Sequence, residues 1–134
     1  MAFLDLDAVT ASYHRCRASD GFVDTFYEQF LSKSEEVVQR FQKTDFARQK
    51  LLLRESLLAM LLLNLNSADA REELDRLAER HSRRGLEIGP HLYELWLDAL
   101  CEAVEKHDSK FTPELRDQWR AAMRPGIELL VSRY

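Results

Sequence analysis

Glycine and proline, the residues that end helices and shape turns, occur only four and three times in 134 positions. The runs between these few breaks are rich in Leu, Ala, Glu, Arg and Gln, and none alternates apolar with polar residues in the β-branched manner of a strand. The chain is therefore confined to an all-α architecture. At this length it is expected to form one domain over residues 1–134, able to bury about two-thirds of its unfolded surface. The sequence contains no internal repeat and no low-complexity segment.

The breaks and caps set out the helices. One is expected from about Leu6 to Arg17, ending near Ser19, Asp20 and Gly21, and a second from Gly21 to Ser32 with Phe22, Phe26, Tyr27 and Phe30 inward. Ser34 caps a short helix from Glu35 to Phe41, whose acidic start suits the positive end of the helix dipole. Thr44 and Asp45 cap a long apolar helix to about Leu65, and Asn64 to Ser67 separates it from a charged helix, Asp69 to Gly85. Gly89-Pro90 and Thr112-Pro113 open the last two helices with proline where its missing N–H costs nothing. The final helix is expected to reach Tyr134 and to bend at Pro125-Gly126.

Charge and cysteine content exclude several classes of function. The net charge is −4, with Lys and Arg dispersed among carboxylates rather than gathered in a basic stripe, so no nucleic-acid partner is expected. Cys16 and Cys101 lie far apart without metal-ligand spacing and are expected to be reduced. The N-terminal residues carry no basic-then-apolar leader, which gives a cytoplasmic expectation. The most apolar stretch, Leu51 to Leu65, includes Arg54, Glu55, Ser56 and Asn64 and is too short and polar to span a membrane.

Against this background His81 stands out. Leu74, Leu77, Ala78 and His81 follow i, i+3, i+4, i+7 spacing and share the apolar stripe of a helix otherwise crowded with charge. An inward imidazole needs a hydrogen-bond acceptor or a metal, and from the stripe alone both readings stay open. His14, His91 and His107 share no ligand spacing and are expected at the surface.

The order and spacing of further residues resemble the globins, specifically bacterial single-domain globins and the globin domain of flavohaemoglobins. Phe26, Tyr27 and Phe30, followed fourteen positions after Tyr27 by Phe41, are similar to that family's second helix and the aromatic at its third-helix corner. The segment from Thr44 to Lys50 containing Gln49 resembles the start of the distal helix. Arg80-His81-Ser82, then Ile88 to Tyr93, resembles the proximal histidine and the opening of the next helix. Trp119, Pro125 and Tyr134 resemble the last helix. The resemblance covers nearly the whole chain and implies a globin fold of about seven helices around a haem pocket.

By this resemblance His81 ligates the iron of a haem b through Nε2, its Nδ1–H donating to a backbone carbonyl such as that of Leu77. Tyr27, Gln49, Phe41 and Leu53 would line the distal, ligand-binding side, where the Tyr27 phenol could donate to bound dioxygen. The choice of Gln49 rests on register: Phe46, Leu53, Leu57 and Met60 share its face, whereas a face through Lys50 or Arg48 carries Arg54 or Glu55. No distal histidine stands at the matching place, so the sixth iron position is expected to be open. Phe46, Leu57, Leu77, Ile88, Tyr93 and Leu97 would contact the haem, and Lys43 and Arg84 are candidates for its propionates. Tyr93 also resembles a tyrosine that in flavohaemoglobins belongs to the proximal hydrogen-bond network, which a last-helix glutamate completes; read without the resemblance, Tyr93 is equally a core aromatic. Here the position matching that glutamate falls at about Tyr134, with Glu128 nearly two turns earlier, and this departure argues against peroxidase-like chemistry.

The implied function is reversible binding of dioxygen, CO and NO. NO dioxygenation would require an external reductase, because no Gly-rich dinucleotide fingerprint is present. Two alternatives stand beside it: a haem-based gas sensor read by a protein partner, and a haem-free helical interaction domain in which His81, Tyr27 and Phe41 are core residues. The leucines at 61, 62, 63 and 65 could form the face of a homodimer, although ordinary burial explains them as well.

Overall fold

A computed structural model describes residues 4–82 and 88–134. Among these residues the chain is seven α-helices and no strand: α1 (Leu6–Ala18), α2 (Phe22–Lys33), α3 (Glu35–Arg40), α4 (Phe46–Leu63), α5 (Ala68–His81), α6 (Pro90–His107) and α7 (Pro113–Ser132). The caps explain the boundaries. Ser34, Asp45, Ser67 and Thr112 each accept a backbone N–H of the first turn they precede, and Pro90 and Pro113 stand at helix starts. Gly21 turns α1 into α2 at φ 86°, a left-handed conformation in which glycine meets no Cβ penalty. No described helix is long and apolar enough to cross a membrane.

Helix α2 packs most extensively on α6, α4 packs on α5 and α7, and α1 lies across α6 and α7. The core runs through Phe26, Leu57, Leu74, Leu97, Leu100, Trp119 and Met123, all almost fully buried. Each comes from one stripe of its helix, so the periodicity of the sequence is spent on this contact layer.

A buried polar chain joins α1, the end of α6 and α7. The Trp119 indole donates to Ser12 Oγ at 2.9 Å, and Ser12 donates to Asp108 Oδ2 at 2.6 Å. The Arg15 guanidinium donates to both oxygens of Asp108 at 2.6 and 2.9 Å. Burial raises the Asp108 pKa, but Arg15, Ser12 and the Lys110 amide more than offset it and hold the carboxyl below the ordinary carboxylate value.

Three expectations are corrected. The last helix stops at Ser132, short of Tyr134, and is one helix through Pro125, the position of the expected bend. The missing N–H of Pro125 deprives only the carbonyl of Ala121, an exposed residue, while Asn64 Nδ2 donates to the next carbonyl, Ala122 O, at 2.8 Å. His107 is half-buried rather than on the surface: its two ring nitrogens lie 2.8 Å from Ser19 Oγ and 2.7 Å from Thr25 Oγ1, tying α6 to the α1–α2 turn. Of the leucine run, Leu61 is buried in the core and Leu63 is half-buried, so only Leu62 and Leu65 face outward.

Candidate functional site

The helix packing leaves a cavity of about 270 Å³ walled by α2, α3, α4, α5, α6 and the end of α7. Most of its lining is apolar, including Phe26, Phe30, Val37, Leu52, Leu53, Met60, Leu77, Ile88, Leu92, Trp96, Ile127 and Leu130. His81, Tyr27, Tyr93, Gln49, Thr44 and Ser56 supply the uncharged polar lining, and Arg40 and Arg80 the cations. No carboxylate is among the described lining residues. An apolar cavity with a small set of polar groups is the usual form of a site for a small molecule or cofactor.

His81 ends α5, where the Leu74–Ala78 stripe turns it inward. Its Nδ1 lies 3.0 Å from Tyr93 Oη on α6, so the phenol takes the place expected for the Leu77 carbonyl. The Ile88 N–H donates to the His81 carbonyl at 2.9 Å, holding the segment before α6 against the end of α5, and the two rings stand 6.2 Å apart between centroids. Nε2 is then the nitrogen left for a ligand. Burial, with repulsion from Arg80 second, pushes the His81 pKa down to about 4, so the imidazole is neutral and its lone pair available at ordinary pH. Burial also raises the Tyr93 pKa.

Tyr27, on α2, donates to the backbone carbonyl of Gln49 at 3.3 Å, which joins the two expected distal residues through main chain. Burial pushes the phenol up to about 12, with the Gln49 bond opposing, so it remains a proton donor. Phe41 lies edge-on to Tyr27 with centroids 5.8 Å apart.

The cavity face of α4 consists of Gln49, Leu52, Leu53, Ser56 and Met60. Gln49, Leu53 and Met60 therefore share a face as expected. Phe46 and Leu57 do not line the cavity: the face is rotated past them. Phe46 packs behind the wall, 5.5 Å from the Tyr27 ring and 5.9 Å from the Phe41 ring, and Leu57 is fully buried in the core. Leu97 is likewise core, while Leu77, Ile88 and Tyr93 do line the cavity.

At the mouth, Lys43 is exposed and outside the lining, and Arg84 lies outside the described residues. The cations that do line the cavity are Arg40, the last residue of α3, and Arg80, beside His81. Arg40 sits 3.6 Å from Glu36, whose carboxylate also contacts His91 Nε2 at 2.8 Å. Sequence reasoning missed both arginines, although a basic residue closing a short helix beside the corner aromatic was a usable signal.

Comparisons with known proteins bear on the fold that carries this cavity. The family model described as Globin matches residues 24–127. A Pseudomonas aeruginosa protein, whose crystal structure is described as structurally highly homologous to a human haemoglobin, is similar to this chain at 43% identity. That similarity covers 96% of this chain and 97% of the other, with a TM-score of 0.92. No curated protein sequence matches.

Proposed function

The chain belongs to the globin family, and we propose that it binds one haem b through His81 Nε2 and reversibly takes dioxygen, CO or NO on the side lined by Tyr27, Gln49, Phe41 and Leu53. When bound, haem supplies an iron with an open position for a diatomic gas. The observation that carries this reading is a neutral inward imidazole, its Nδ1 engaged by Tyr93, in an apolar cavity that also holds a protonated phenol.

The residues fit such a group. With Nε2 committed to a metal, Nδ1 carries the proton and donates to the Tyr93 oxygen, which fixes tautomer and ring orientation. A neutral phenol oxygen withdraws less of that proton than a carboxylate would, so His81 stays an imidazole rather than an imidazolate. This favours gas binding over peroxidase-like chemistry. Across the cavity lining, Tyr27 can leave the Gln49 carbonyl and donate to a polarised gas molecule, slowing its release. Arg40 and Arg80 can pair the two carboxylates of the haem edge. NO dioxygenation at this site would draw its electrons from an external reductase.

The test is the optical spectrum of the purified protein with added haem, ferric, dithionite-reduced and CO-bound, for the natural chain and His81→Ala. A five-coordinate ferrous spectrum that shifts with CO and is lost in the variant is expected. Absence of stoichiometric haem uptake would make the cavity a core defect of a helical interaction domain and end this reading.

A further inference from the structure

Six large apolar side chains are exposed among the described residues, and four of them belong to one stripe along α4 and its trailing turn. Leu51 is 58% exposed, Leu58 48%, Leu62 37% and Leu65 64%. Leu65 continues the helical path because its N–H donates to the Leu62 carbonyl at 2.9 Å. At about 100° per residue the four lie within about 60° of each other and roughly 180° from the cavity-facing Gln49, Leu53, Ser56 and Met60. The stripe is about 21 Å long at 1.5 Å per residue. Solvent-exposed leucines in this density mark a contact surface rather than scattered surface residues.

The rim of the stripe indicates what covers it. Arg54 stands on one edge and Glu55 on the other, both exposed, at the middle of the stripe, while Arg48 lies a turn before its first leucine. A membrane surface would favour a basic rim on both sides. A two-fold axis running along α4 brings each leucine against its own copy and the Arg54 edge of one chain against the Glu55 edge of the other, twice. The stripe is thus complementary to itself in shape and in charge. We propose that this face of α4 docks a second copy of the chain, the two α4 helices side by side and parallel. The dimer leaves the cavity mouth open, because the cavity lies on the opposite side of the same helix, and it stands whether or not the site binds haem.

Sedimentation velocity and light scattering on the full chain, at concentrations up to roughly 0.5 mM, test the proposal. A species of twice the 15.7 kDa chain is expected, with Leu58→Glu reduced to monomer at unchanged helix content by circular dichroism. Arg54→Glu and Glu55→Arg should each weaken the dimer about tenfold, and the double exchange should restore it. Leu58→Cys should form an interchain disulfide on mild oxidation, since like positions face one another. A monomer at every concentration, a dimer that survives Leu58→Glu, or a double exchange no better than the singles would overturn the proposal. So would a monomer that binds phosphatidylglycerol vesicles through these leucines.

Discussion

Two regions of this molecule hold polar side chains away from water, and they are built in opposite ways. At the junction of α1, α6 and α7, Trp119, Ser12, Asp108 and Arg15 are hydrogen-bonded to one another in a closed chain. In the cavity, one His81 nitrogen has no hydrogen-bond partner among the described residues, and the Tyr27 hydroxyl is held there by a single 3.3 Å bond to a main-chain carbonyl. A closed network fixes helix positions and has nothing left to offer a ligand; a partly engaged one sacrifices some stability to keep chemistry available. The contrast is a reason, separate from any relative, for placing the proposed site in the cavity.

The sharpest way to break this comparison is at the closed junction. Asp108→Ala removes a buried carboxylate and strips Arg15 and Ser12 of their shared acceptor, and is expected to cost about 3 kcal/mol of stability. In a chain of this size that lowers Tm by roughly 10 °C, while haem spectra stay those of the natural protein. A stability loss under about 1 kcal/mol, or an altered spectrum, would erase the division between the two regions.

Acid should reach the two regions in different pH windows. His81 is pushed down to about 4 in the folded chain from an unfolded value near 6.5, so its contribution to the haem-free protein is complete above pH 6.5 and is lost as pH falls to about 4. The loss is on the order of 3 kcal/mol. Asp108, held below the ordinary carboxylate value, keeps its contribution through that window and loses it only at lower pH. Denaturant titrations of the haem-free chain at about pH 7, 5 and 4 should show the first loss in the natural protein and not in His81→Phe. Equal slopes in the two would remove His81 from the account of acid stability.

Within the cavity, Tyr27→Phe deletes the one phenol able to donate on the distal side. Dioxygen dissociation, followed by stopped-flow, is expected to accelerate about tenfold, the equivalent of one hydrogen bond of about 1.4 kcal/mol. An unchanged rate would make Tyr27 a packing residue like Phe46 behind it.

The sequence made the helices legible because caps and prolines act locally: Ser34, Asp45, Pro90 and Pro113 sit where their chemistry puts them. The stripe bearing His81 and the spacing of Tyr27 and Phe41 were legible for the same reason, each being a pattern within one or two adjacent helices. What depended on helix crossings was not. Ser12 and Asp108 are 96 residues apart, and no local pattern pairs them. The rotation of α4 that favours Ser56 and Leu52 over Phe46 and Leu57 follows from how α4 lies on α5 and α7, and the choice of Arg40 over Lys43 at the mouth from how α3 lies on α2. Those are tertiary facts.

The smallest expected effect is also the one that links the two regions. Gly126, on α7, approaches α4 so closely that an added Cβ would stand 2.8 Å from Met60 Cε and 2.9 Å from Met60 Cγ. Two effects of Gly126→Ala oppose each other: alanine favours a helix interior by about 1 kcal/mol, and overpacking costs about 1–3 kcal/mol. Met60 Cε can swing away, but Cγ and the Cβ at 3.4 Å follow the helix, so overpacking should win by about 1 kcal/mol. Met60 also lines the cavity, so the displaced thioether has the cavity to move into, and haem uptake should weaken alongside stability. In the double variant Gly126→Ala, Met60→Ala the clash is absent, and the two substitutions should cost less together than the sum of each alone. Strict additivity, or a Gly126→Ala variant more stable than the natural chain, would mean that the α4–α7 contact has room to spare and transmits nothing between the closed junction on α7 and the cavity wall on α4.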